Sequence, residues 1–120
     1  MTLPLTPATL VAAYEYLRTT PPFRGWKLPH ADEVEFRVTR HRDREADHEV
    51  KRRKDHIIRV SANNIGTSDA LVQALAHEMI HAYQDGVART GTRAMHNTEF
   101  KRLATRVCKV HGWKMGGFAE

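Results

Sequence analysis

An α+β fold is what this sequence predicts: an N-terminal helix, a small antiparallel sheet of two to three strands, then a helix carrying an HExxH motif and a C-terminal helix. Three features predict it. Apolar residues recur at helical spacing around positions 10–17, 72–83 and 100–108. Between the first and second of these, Val34, Phe36 and Val38 alternate with polar residues, and a short apolar run occupies 56–61. The length of 120 residues, with 41% hydrophobic and 28% charged, suits a single domain over 1–120 whose core needs no disulfide staple.

The first helix opens at Thr6, whose hydroxyl can cap it, and Pro7 takes the first helical position, where a missing N–H costs nothing. Leu10, Ala13, Tyr14 and Leu17 then share one face. Pro21 and Pro22 prevent continuation past Thr19 and Thr20. Phe23 and Trp26 follow in a loop expected to fold back on the core. The strand around 34–38 has one apolar face. Residues 40–55 mix seven basic with five acidic side chains and only Ala46 and Val50 as apolar ones. They read as a solvated hairpin with a poorly patterned strand near 49–53, so His41, His48 and His56 are expected in water. The strand 56–61 ends at Asn63, Asn64 and Gly66. If it lies at the sheet edge, an extended substrate can pair with it.

Thr67 or Ser68 caps the second helix, Asp69 suits its positive end, and Gly86 is expected to stop it after about Asp85. Its core stripe is Val72, Leu75, Ala76, Met79 and Tyr83. A loop over 87–95 leads to Asn97, the expected cap of a third helix whose stripe is Phe100, Leu103, Ala104, Val107 and Cys108. Gly112 ends that helix, and His111 in its last turn is expected to act as a cation favoured by the dipole.

Several function classes are excluded at this level. No apolar run approaches the roughly 20 residues of a membrane span. The N-terminus lacks the basic region and continuous apolar run of a secretory signal, which points to the cytoplasm. A lone Cys108 supports neither an internal disulfide nor a cysteine-based zinc ribbon. Nineteen basic against fourteen acidic residues give a net charge of +5, which favours a polyanionic partner. Lys51, Arg52, Arg53 and Lys54 could contact the phosphates of DNA, although the acidic residues beside them make a solvated face an equal reading.

The chemistry concentrates at His77-Glu78-Met79-Ile80-His81, an HExxH motif. One helical turn separates the two histidines, so both imidazoles can reach one ion, while Glu78, rotated by about 100°, can reach water bound to it. A catalytic Zn2+ needs a third protein ligand and an open position. His96, just ahead of the third helix, is the best candidate and Glu99 its competitor. Gln84 and Val87 stand where an HExxHxxGxxH pattern requires Gly and His, which excludes the metzincin arrangement.

The strand 56–61, the helix carrying the motif, and His96-Asn97-Thr98-Glu99-Phe100 together resemble the SprT-like, Spartan-type metalloprotease domain over about 55–110. The resemblance implies a zincin-like fold, zinc on His77, His81 and His96, and Glu78 as general base. It also implies cleavage of proteins, notably DNA-crosslinked ones, with DNA as activator. Asn97 departs from the family, which usually has Gly there. The sequence-level reading is therefore a zinc-dependent peptidase of DNA-associated proteins. Two rivals are a nucleic-acid-binding module with a purely structural zinc, whose fourth ligand would have to be Glu99 or His111, and a metallohydrolase with a non-protein substrate.

Overall fold

A computed structural model describes residues 5–40, 42–51, 55–63, 65, 67–84 and 98–118. Helix α1 spans Pro7–Arg18 and begins as the sequence predicts, with the Thr6 hydroxyl accepting from the Thr9 N–H at 3.2 Å. Leu10, Tyr14 and Leu17 are fully buried. A single 3-10 turn at Ala31–Glu33 leads into β1, Val34–Thr39, followed by β2, Ala46–Lys51, and β3, Asp55–Ser61. Helix α2 spans Ser68–Tyr83, α3 Thr98–His111, and a four-residue helix α4 Met115–Phe118.

The α+β architecture agrees with expectation, but the sheet is mixed, in the order β1-β3-β2. β3 runs parallel to β1 and antiparallel to β2, so the wholly antiparallel sheet expected from sequence is corrected. The same order places β3 between its two neighbours, so the condition under which an extended substrate could pair with it, an edge position, is not met. The physical reason is composition. β3 carries Ile57, Ile58 and Val60, all buried, and takes the central position, whereas the polar β2 tolerates an edge. β2 also begins three residues earlier than the weak strand expected near 49–53, because Arg59 of β3 holds it in register through Asp47 at 2.8 Å and Glu49 at 2.6 Å.

That pairing corrects a second expectation. His56 is only 5% exposed, and its Nδ1 lies 2.9 Å from Nε2 of His48, the two rings stacked with centroids 5.1 Å apart. His48 faces Ile58 and Val50 faces His56, so the two imidazoles are diagonal neighbours on one sheet face rather than solvated side chains. His41 lies outside the described residues.

The core fills the space between the sheet face bearing Val34, Phe36, Ile58 and Val60 and helices α1, α2 and α3. Tyr14 meets Phe36 edge-on at 5.3 Å, and Phe23 and Trp26 fold back as expected, with Trp26 reaching Tyr83 at 4.8 Å. Tyr83 is thus a packing residue. Helix α2 touches α1, α3, α4, β2 and β3. Its cap is Thr67, whose hydroxyl accepts from the Ala70 N–H at 3.1 Å. The expected stop at Gly86, the loop 87–95 and the Asn97 cap lie outside the described residues. Among the described residues, no helix is long and apolar enough to cross a membrane.

Candidate metal centre

The core stripe of α2 explains how the motif is presented. Leu75, Met79 and Ile80 are fully buried and fix the helix rotationally, and α2 is enclosed further than a one-faced helix, leaving Glu78 6% and His81 8% exposed. His77 and His81 stand one turn apart with ring centroids 5.0 Å apart at 62°. The fully buried ring of Phe100, from the first turn of α3, meets both. Its centroid is 5.0 Å from that of His77 and 4.6 Å from that of His81, stacked on the latter at 24°. Phe100 was legible in the sequence only as part of an apolar stripe, yet it is the wall that limits the rotation of both imidazoles.

The second support was not legible at all. Nδ1 of His77 lies 2.6 Å from the main-chain carbonyl oxygen of Phe118 in α4. A carbonyl only accepts, so Nδ1 carries the proton and the lone pair resides on Nε2. A two-turn-spaced aromatic pattern would have betrayed a helix here, but four residues are too few to show any periodicity.

Burial pushes the Glu78 carboxyl up to about 8, and the negative charge of Asp47 adds to the effect. A carboxylate enclosed in this way is costly unless a cation compensates it, and a divalent ion beside His77 and His81 would do so. Glu78 and His77 also line a cleft of about 480 Å³ that runs between the first turns of α2 and the residues leading into β2, with Glu45, Ala46 and Phe118 among its walls. The site is therefore a buried carboxyl beside two imidazoles, with Glu78 and His77 on the wall of the cleft.

His96, the expected third ligand, lies outside the described residues. Its competitor Glu99 is taken up by Arg102, which forms two bonds with it at 2.5 and 3.0 Å. Among the described residues, no three His, Cys, Asp or Glu side chains form a group able to hold a metal ion. Two imidazoles with a defined tautomer on one of them fit a borderline-soft divalent ion such as zinc, and a catalytic zinc site would need a third protein donor. His111 departs from its expected role. Its ring stacks on Trp113 at 4.4 Å and 12°, and burial holds its pKa below the usual imidazole value, which disfavours the cation expected at the helix end.

No curated protein sequence matches the chain. The sequence model of the SprT-like family does match it, over residues 16–116. That span holds α1 from its third turn, the whole sheet, the motif helix and α3, so the chain belongs to the SprT-like family, whose members are metalloprotease-like domains.

Proposed function

We propose that this chain is a zinc-dependent peptidase in which His77, His81 and His96 hold Zn2+ and Glu78 is the general base. The observation that carries the reading is the pairing of the His77 and His81 rings, 5.0 Å apart, beside a buried Glu78 carboxyl that opens on the cleft. Bound zinc supplies Lewis acidity, polarising the scissile carbonyl and making water a nucleophile near neutral pH. Glu78 takes a proton from the attacking water on a carboxylate oxygen and passes it to the departing amine nitrogen. Phe100 and the Phe118 carbonyl hold the imidazoles in place. β2 now replaces β3 as the strand that a substrate can extend, since it is the sheet edge beside the cleft.

The purely structural zinc is the weaker reading. It needs a fourth protein ligand, and of the two candidates Glu99 is paired with Arg102, while the His111 ring stacks on Trp113 and its buried Nε2 has no hydrogen-bond partner among the described residues. Metal analysis tests the ligand set. About one zinc per chain is expected in the wild type. His77→Ala, His81→Ala and His96→Ala should lose most of it, and Glu78→Gln should keep it. Full zinc in His96→Ala together with loss in Glu99→Ala would make the site His-His-Glu.

DNA-associated or DNA-crosslinked proteins are the proposed substrates, with DNA held at Lys51, Arg52, Arg53 and Lys54, of which Lys51 is exposed and the other three lie outside the described residues. Phosphate contacts release condensed counterions, so affinity should fall steeply with salt. Replacing all four by Gln should weaken DNA binding and flatten the salt slope without altering zinc content. Wild-type affinity and slope in that variant would reduce the run to a solvated face.

A further inference from the structure

The rings of Phe100 in α3 and Phe118 in α4 pack against the His77 imidazole, and its Nδ1 is held by a main-chain atom 41 residues further on, in α4. The location of that carbonyl is itself built. Gly112 turns the chain out of α3 with φ +77°, and the Trp113 N–H then donates to the Cys108 carbonyl at 2.9 Å, closing the helix end. Trp113 stacks on His111 at 4.4 Å, Phe118 lies against Trp113 at 5.8 Å and 28°, and the Phe118 ring meets the His77 ring at 5.7 Å. Phe118 is only 5% exposed. An aromatic chain therefore runs from the last turn of α3 to the motif histidine and ends in a hydrogen bond.

We propose that residues 112–118 are a positioning element for the metal centre, in which the Phe118 carbonyl fixes His77 as its Nδ1–H tautomer so that Nε2 presents its lone pair to the ion. This rests on the reading of His77 as a metal ligand. An imidazole without such a partner shares its proton between both nitrogens, and every molecule protonated at Nε2 has to rearrange before it can ligate. Partners of this kind typically change metal affinity by about 10 to 100-fold. Phe118 lies two residues beyond the span matched by the SprT-like family, and His77 lies within it. Because Phe118 also lines the cleft, the same residue that orients His77 shapes the wall met by a substrate.

Two readouts on the full chain test this. The first is the ring nitrogen chemical shifts of His77 in metal-free protein at a pH where the imidazoles are neutral, assigned by comparison with His77→Gln. The wild type should show Nδ1–H, and Trp113→Ala and Phe118→Ala should show a mixture of tautomers. The second is zinc affinity by competition with a chelator, which should fall about 10 to 100-fold in both Ala variants and recover in Phe118→Leu, where an apolar anchor remains. A wild-type His77 protonated at Nε2 would overturn the positioning role whatever the metal result. So would a folded Trp113→Ala or Phe118→Ala that keeps both the tautomer and the affinity. Absence of zinc binding by the wild type, with Nδ1–H intact, would instead overturn the reading of His77 as a ligand.

Discussion

Glu78→Gln should abolish peptide cleavage while leaving zinc bound. Gln matches Glu in shape and still accepts a hydrogen bond, but it cannot take a proton from water and return it to the amine, and loss of such a group costs about 10²- to 10⁴-fold in rate. Single-turnover cleavage of an unstructured protein substrate, with and without DNA, measures this, and wild-type rates would eliminate the general-base role. The same substitution carries a stability signature in metal-free protein. Burial pushes the Glu78 carboxyl up to about 8 from an ordinary 4.5. Between those values the unfolded chain has released the proton and the folded chain retains it, so stability declines as pH rises from about 4.5 and levels off above about 8. The decline should be on the order of a few kcal/mol. Glu78→Gln removes this slope and should be the more stable protein at pH 8. Zinc should restore the wild type, because the ion favours the ionised carboxylate. Urea unfolding of chelated and zinc-loaded samples at pH 5 and pH 8 compares the four cases.

Phe100→Ala should damage both the fold and the metal centre. The ring is fully buried and contacts both His77 and His81, so its removal leaves a cavity under the two imidazoles. Truncating a buried Phe costs about 3–5 kcal/mol, a large part of the roughly 5–15 kcal/mol that a domain has in total. Zinc affinity should fall as well, since both rings gain rotational freedom. Phe100→Leu should recover much of the stability and less of the affinity, because a branched alkyl group fills volume without stacking on His81. A loss below about 1 kcal/mol in Phe100→Ala would mean that α2 and α3 close over the gap.

The helices were legible because their signals are local. Thr6 and Thr67 cap where hydroxyls precede apolar stripes, and Phe100, Leu103, Ala104, Val107 and Cys108 are buried as their spacing requires. His77, Glu78 and His81 were readable for the same reason: five consecutive residues in a helix have only one relative geometry. The four residues of α4 carry no period, and the polar β2 carries no alternation of apolar side chains strong enough to mark its ends.

Membership of the α+β class, the three long helices and the presence of two imidazoles on one helical face were thus determined by the sequence itself, through interactions that span a few residues. Tertiary structure alone decided the strand order β1-β3-β2, the burial of His56, the raised proton affinity of Glu78 and the hold of Phe118 on His77. Strand order depends on which distant strands offer enough apolar surface to enclose β3, and desolvation of Glu78 depends on everything packed around α2. The Phe118 contact is made by a main-chain carbonyl, a group that every residue possesses. Nothing in a side-chain pattern distinguishes one carbonyl from another until the fold brings it 2.6 Å from an imidazole nitrogen.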